Sequence, residues 1–143
     1  MFKYFVLLIL APVFFSCSNK SSSPVDCVTS FISAAEQHDM TNAWNTLSPE
    51  AQAFYNDIGE KNRKSGKGIL EHDISEITKF KNKDSDYKIE NSESNKVKII
   101  TSKEEIVIET INIDGSFRIK DGNSVRNVIK TISLESVKKE YYF

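Results

Sequence analysis

The sequence predicts an α+β domain in which N-terminal helices pack on a curved antiparallel meander of about four strands, followed by a helical tail. Two changes in apolar spacing lead to this prediction. From residue 24 to residue 80, apolar residues recur at steps of three and four, which is helical spacing. From Asp86 to Ile119 they alternate between short turn sequences, which is typical of strands. Helical spacing returns from Ser124 onward.

Three helices are predicted before residue 60, and two of them begin with a serine and a proline. Ser23-Pro24 provides a capping hydroxyl and a first-turn proline for the first helix. A short second helix is expected at about Thr41 to Leu47. Ser48-Pro49 repeats the start signal for a third helix, and Gly59 is predicted to end it.

Residues 60–80 fall into two parts, and each part has two interpretations. Residues 60 to 68 are polar and rich in lysine, which predicts a solvated loop, with an anion or lipid-headgroup contact as the alternative. Ile69 to Phe80 is predicted to be a fourth helix, since Leu70, Ile74 and Ile77 follow steps of four and three. A twisted strand is the competing prediction for this segment.

Short turns divide the alternating region into a meander. Asp114-Gly115 is the strongest hairpin signal, because a tight turn between strands needs positive φ values. The tail from Ser124 is expected to form one helix, or two that break near Ser133. The four strands are expected around Tyr87–Ile89, Val97–Ile99, Glu105–Ile113 and Phe117–Ile119.

The first seventeen residues have the anatomy of an export signal. Lys3 precedes the apolar run Tyr4 to Phe15, whose twelve residues fall short of the roughly 20 that cross a bilayer. Ser16-Cys17 follows, and residues 14 to 17 resemble the lipobox of bacterial lipoproteins, although Phe14 replaces the usual aliphatic residue. The resemblance implies cleavage between Ser16 and Cys17 and acylation of Cys17. An ordinary signal peptide and an uncleaved anchor are the alternatives.

This interpretation divides the chain into a signal peptide at 1–16, a lipidated cysteine with a flexible tether at 17–23, and one domain at 24–143. The tether has no acidic cluster and no aspartate next to Cys17. By resemblance to other lipoproteins, this favours an outer membrane, facing the periplasm. Acylation would leave Cys27 without a disulfide partner. We expect Cys27 to be a small buried residue, since the sequence places no basic residue near it that would lower its pKa.

Two short motifs resemble nuclear-transport-factor-like, cone-shaped lipoprotein domains. Residues 39–50 (DMTNAWNTLSPE) are similar to the segment in which a short helix leads to Leu-Ser-Pro and a third helix. Residues 114–119 (DGSFRI) are similar to the closing hairpin of that family, with Phe117 in place of its usual tryptophan. The resemblance covers roughly residues 25 to 120. It implies the fold more than an activity, because this fold hosts isomerases and hydratases as well as non-catalytic modules.

A ligand pocket is the candidate site within the domain. The main hypothesis is a non-catalytic envelope module, attached to the membrane by its lipid, that binds a small apolar ligand or another envelope protein. A net charge of −1 and the lack of a basic face exclude nucleic acid as an expected partner. The predicted pocket residues are Trp44, Phe54, Tyr55, His72 and Tyr87.

The alternative is a pocket enzyme of the isomerase or hydratase type. It needs a general base and a group that stabilises an enolate-like charge, for which His72, Asp73, Tyr55 and Tyr87 are the candidates. His72 and Glu76 could share a metal on a helix, but two ligands make a weak site. No metal or cofactor is therefore predicted. Residues 141–143 (YYF) are expected to belong to the core, with an exposed partner site as the alternative.

Overall fold

The structure is a computed structural model that describes residues 20–78 and 87–140 of the 143-residue chain, with side chains for residues 20–75 and 87–132. It confirms the predicted α+β class, with helices first, a curved four-stranded antiparallel sheet next and a helix at the end. The helices are α1 (Pro24–Glu36), α2 (Met40–Asn45), α3 (Pro49–Lys61), α4 (Gly66–Thr78) and α5 (Gly122–Glu140). The strands are β1 (Lys88–Asn91), β2 (Lys96–Ile100), β3 (Glu105–Ile113) and β4 (Ser116–Ile119).

Side-chain caps fix where the first helices begin. The Ser23 Oγ accepts a hydrogen bond from the Asp26 backbone N–H at 3.0 Å, which confirms the predicted start of α1. His38 has a φ of 54°, and this left-handed residue reverses the chain after α1. Asp39 then caps α2, accepting a hydrogen bond from the Asn42 N–H at 3.1 Å.

The prediction that Gly59 ends the third helix is wrong, because α3 continues to Lys61. Gly59 is needed for close approach instead. A Cβ on this residue would lie 2.5 Å from the Lys64 carbonyl oxygen, where the chain turns into α4. Arg63, with a φ of 55°, makes that turn.

The helical prediction for Ile69 to Phe80 is confirmed over its described part, since α4 runs from Gly66 to Thr78. Leu70 and Ile74 are fully buried, as their spacing predicted. The predicted loop at 60–68 is too long, because α3 and α4 together cover all but residues 62–65. Polar residues are common at helix ends, so the lysine-rich composition did not reveal that this segment contains the end of α3 and the start of α4.

The four strands form a simple meander in the order β1-β2-β3-β4. Val97 pairs with Ile108 across β2 and β3, and Thr110 pairs with Ile119 across β3 and β4. The predicted Asp114-Gly115 hairpin is confirmed, with φ values of 51° and 80°.

The outer edge of β4 is covered by two segments from the N-terminal half. The Phe117 N–H donates to the Ser21 carbonyl oxygen at 3.1 Å, and the Ile119 N–H donates to the Thr46 carbonyl oxygen at 2.8 Å. The Ser48 N–H returns a bond to the Ile119 carbonyl oxygen at 2.9 Å. These bonds satisfy backbone groups that an exposed edge strand would offer to another chain.

The C-terminal segment is one helix without a break at Ser133. Asp121 caps it, because the Asp121 Oδ1 accepts a hydrogen bond from the Ser124 N–H at 2.8 Å. Gly122 is required at its first turn, since a Cβ there would overlap the Phe54 ring. This close contact joins α5 to α3.

One hydrophobic core joins the sheet and the helices. The inward side chains of Val97, Ile99, Ile108 and Ile119 are fully buried. Helix α1 contacts all four strands, while α5 contacts α3, α4 and β3. Within the described part of the chain, no helix is both long enough and apolar enough to cross a membrane.

Candidate functional site

The structure separates most of the five predicted pocket residues. Phe54 and Tyr55 are neighbours on α3, and their rings meet edge to face with centroids 5.4 Å apart. Trp44 is partly buried against the core, as are Phe54 and Tyr87. His72 is exposed on α4. None of the five lines either of the two surface recesses described below.

Tyr55 belongs to a cluster that joins three helices. Its hydroxyl lies 3.4 Å from the Asp73 Oδ2 on α4, and the Arg126 Nε on α5 lies 3.3 Å from the same oxygen. The Arg126 guanidinium also lies over the Phe54 ring, 5.1 Å from its centroid. The cluster therefore contains two of the predicted pocket residues, Phe54 and Tyr55, and two of the four catalytic candidates, Tyr55 and Asp73.

This arrangement suits packing better than acid–base chemistry. Burial, with a further contribution from the Asp73 carboxylate, raises the pKa of Tyr55 well above its usual value, so its ring stays neutral. Asp73 shares its oxygen with Arg126 and is not a free base. The contacts hold α3, α4 and α5 in register.

Tyr87 lies in a different environment, at the start of the sheet. Burial is the main cause of its raised pKa, and the neighbouring Glu36 carboxylate raises it further. Tyr87 thus pairs with the C-terminal end of α1, and Tyr55 pairs with α4 and α5. The two tyrosines do not form one site.

The proposed His72–Glu76 metal pair is described only in part, since the side chain of Glu76 lies outside the described residues. Among the side chains that are described, no group of three or more His, Cys, Asp or Glu residues could hold a metal ion.

The concave face of the sheet is filled by apolar side chains. Val97, Ile99 and Ile108 are in the same core cluster as Val28 and Phe31 of α1. Thr110 is the buried polar residue on this face, and its hydroxyl donates to the Asn95 carbonyl oxygen at 2.7 Å. The position at which a cone-shaped domain could hold a ligand is therefore occupied by the protein itself.

An open cleft of about 540 Å³ lies on the outside of α1. We call it the α1–α2 cleft. Its walls are α1 and α2, and the start of β4 and the segment before α1 also line it. Its lining residues are Lys20, Ser21, Asp26, Thr29, Ser30, Ser33, Ala34, Gln37, Asp39, Asn42, Asn45, Thr46, Ser116 and Phe117.

A second recess, of about 410 Å³, lies beside β2 and β3. Its charged residues are paired: the Lys120 Nζ lies 2.8 Å from the Glu109 Oε2, and Lys96 lies 3.8 Å from Glu93. Val107 and Ile111 of β3 are exposed near these charges, at 45% and 38% of their surface. Paired surface charges beside scattered apolar residues are usual on an outer sheet face.

Cys27 is fully buried, as expected. Burial raises the pKa of the Cys27 thiol to about 12, although the Arg118 guanidinium acts to lower it. Arg118 was not evident as a neighbour in the sequence, because 91 positions separate the two residues. Its guanidinium also donates to the Asn45 carbonyl oxygen at 2.6 Å, at the end of α2. The Cys27 thiol is therefore protonated at neutral pH and suited to packing.

Ser16 and Cys17, the predicted cleavage and lipid-attachment residues, lie outside the described residues, as do Tyr141-Tyr142-Phe143. The structure does describe the end of the predicted tether. Ser21 is buried and bonded to β4, and the Ser22 hydroxyl donates to the Asp26 Oδ2 at 2.6 Å. The chain is thus in contact with the domain from Ser21 onward.

Comparison with protein families, with curated proteins and with solved structures finds no match to this chain.

The α1–α2 cleft was missed by the sequence reasoning, although a signal for it is present. Thr29 and Ser30 lie four and three positions before Ser33 on the polar side of α1, and Gln37 follows four positions later at its C-cap. This stripe has small hydroxyl groups where a solvated helix commonly has lysine or glutamate. Its partner wall could not be predicted, because the orientation of α2 depends on tertiary packing.

Proposed function

We propose that this chain is a bacterial envelope lipoprotein, anchored by an acylated Cys17, whose domain is a non-catalytic module for binding or protein interaction. The apolar run Tyr4–Phe15 followed by Ser16-Cys17 supports the anchor. The absence of acidic residues directly after Cys17 supports an outer membrane facing the periplasm. The two family-like motifs and the observed α+β class support membership of the nuclear-transport-factor-like domains.

The filled concave face is the observation that carries the non-catalytic part of the proposal. An enzyme of the isomerase or hydratase type needs an enclosed pocket with an available base. Here apolar side chains such as Ile99 and Ile108 occupy that position. Asp73 shares its carboxylate with Arg126 and Tyr55 at the junction of three helices. Neither feature favours chemistry on a small substrate.

The contact of Ser21 with β4 supports a short connection between lipid and domain. Three residues lie between Cys17 and Ser21, which makes four steps along the chain, and an extended chain spans at most about 3.5 Å per step. The reach is therefore roughly 14 Å. Such a connection would hold the β4 edge and the start of α1 near the membrane surface.

Metabolic labelling with a radioactive fatty acid tests the anchor. We expect the wild-type protein to incorporate label and to fractionate with membranes, and Cys17→Ser to lose both properties. Cys27→Ser is the matched control, because it removes the other cysteine and should remain labelled. Label that persists in Cys17→Ser would contradict attachment at this residue.

A further inference from the structure

We propose that the α1–α2 cleft binds an uncharged oligosaccharide. This inference rests on the proposed binding-module function and names its site and ligand class. It requires neither a cone-shaped pocket nor any catalytic group. The supporting observations are the small polar residues of α1, the polar wall of α2, the charge balance and an aromatic ring in the lining.

The α1 wall is unusual for an exposed helix face. Thr29, Ser30 and Ser33 are exposed and line the cleft, and none carries a charge or a long side chain. Serine and threonine have lower helix propensities than lysine or glutamate. Serine and threonine along this face lower the helix propensity of α1. Their short side chains keep the cleft open, and they add hydroxyl groups to it.

The α2 wall offers complementary groups. Asn42 and Asn45 bring side-chain amides to the cleft, and Thr46 brings a hydroxyl. Amide and hydroxyl groups can both donate and accept hydrogen bonds. The Thr46 hydroxyl already donates to the Ala43 carbonyl oxygen at 2.7 Å, and the Asn42 amide donates to the Asp39 Oδ2 at 2.5 Å. Thr46 therefore offers a sugar hydroxyl an acceptor oxygen, and the exposed Asn45 amide offers both a donor and an acceptor.

The charges in the cleft do not favour an ionic ligand. Asp39 already accepts hydrogen bonds from the Asn42 backbone and side chain, at 3.1 and 2.5 Å. Asp26 accepts from the Ser22 hydroxyl at 2.6 Å and lies in the first turn of α1. Lys20 is the one basic residue in the lining. A phosphate or sulfate would meet more carboxylates than ammonium groups, which excludes an anion as the preferred ligand.

Phe117 adds an apolar contact to the cleft. Phe117 lines the cleft and is half-buried, so that part of its ring packs on the core. The C–H face of a sugar ring packs well on an aromatic side chain. The volume of about 540 Å³ lies in the range of about 300–1,000 Å³ that is typical of small-ligand sites. It would accommodate a few sugar units rather than a whole polymer.

Titration of the full-length protein in detergent tests this proposal, with a β-1,4-linked tetramer of N-acetylglucosamine and with maltotetraose as the two probes. Binding of either probe, followed by calorimetry or by amide chemical shifts, is expected to map to α1 and α2. Preference for the first probe would point to an N-acetylated glycan such as a cell-wall strand, and equal binding would point to sugar hydroxyls alone.

Ser30→Lys closes the cleft with a long side chain and should weaken binding about tenfold or more, the equivalent of one or two hydrogen bonds. Lysine favours helix more than serine does, so the variant should fold at least as well. Ala53→Lys, on the exposed side of α3 and outside the cleft, is the matched control and should bind like the wild type.

Failure of both probes to bind would overturn the oligosaccharide proposal, and so would binding that Ser30→Lys leaves unchanged. Either result would be separable from failure of the anchor, because fatty-acid labelling does not depend on the cleft.

Discussion

At the residue scale, burial decides what the ionisable groups of this domain can do. The Cys27 thiol lies near the Arg118 guanidinium, which by itself would favour a thiolate. The effect of burial is larger than the effect of the Arg118 charge, so the pKa of Cys27 is raised to about 12. The sequence predicted the buried, unreactive thiol, but it could not reveal Arg118, which the β4 strand brings to α1 and α2.

The raised pKa of Cys27 predicts a loss of stability in alkali. Below pH 9 the thiol is protonated in both the folded and the unfolded chain, and its contribution is fully present. Between pH 9 and 12 the unfolded chain loses this proton first, so the free energy of unfolding falls as pH rises. For a shift of this size, the loss is about 2 kcal/mol by pH 10.5.

Urea unfolding at pH 8 and pH 10.5 checks this prediction in a Cys17→Ser background, in which Cys27 is the remaining thiol. The parent should lose about 2 kcal/mol more over this range than the same protein carrying Cys27→Ala. An equal loss in the two proteins would contradict a buried thiol.

At the scale of elements, the starts of α1 and α3 were readable from sequence, whereas the end of α3 and the start of α4 were not. Ser23 and Ser48 cap α1 and α3 as their Ser-Pro signals predicted, because a capping bond is local. Gly59 looked like a stop signal but is a contact point between α3 and the turn before α4. Close approach between segments is a tertiary property, and no local pattern distinguishes it from a helix end.

The two capping serines differ in their second contact. The Ser48 hydroxyl is buried and also donates to the Lys120 carbonyl oxygen at 2.5 Å, which ties α3 to the end of β4. The Ser23 hydroxyl caps α1 within the helix's own first turn, and this residue is partly exposed.

We expect Ser48→Ala to lower the free energy of unfolding by about 2 kcal/mol, and Ser23→Ala by about 1 kcal/mol. The larger value reflects the loss of both the cap and the bond to a carbonyl oxygen at the sheet end. Urea midpoints at an unchanged m value measure the difference. If Ser48→Ala cost no more than Ser23→Ala, the tie between α3 and β4 would contribute nothing to stability.

At the scale of the whole molecule, apolar periodicity predicted the architecture but not the candidate site. Apolar residues recur at steps of three and four in a helix and at every second position in a strand, because one side of each element faces the core. The contact between Asp73 and Arg126 joins residues 53 positions apart, and the α1–α2 cleft depends on how two helices are oriented. Both arise only when the elements pack, so they could not be predicted from the sequence.

The segment after the proposed anchor is also connected to the fold. Ser21 joins the β4 edge, so the three residues between Cys17 and Ser21 are the connection between the proposed lipid and the domain. The α1–α2 cleft is lined by Lys20 and Ser21 at this same end. An acylated Cys17 would therefore hold the proposed sugar site close to the membrane surface.

The most direct test of the proposed lipid anchor is mass spectrometry of the N-terminal peptide of the protein extracted from membranes. If Cys17 is the acylated N-terminal residue, we expect a peptide that starts at Cys17 and carries the added mass of acyl chains on that residue. A peptide that still contains residues 1–16, or one that starts at Cys17 with an unmodified thiol, would contradict it.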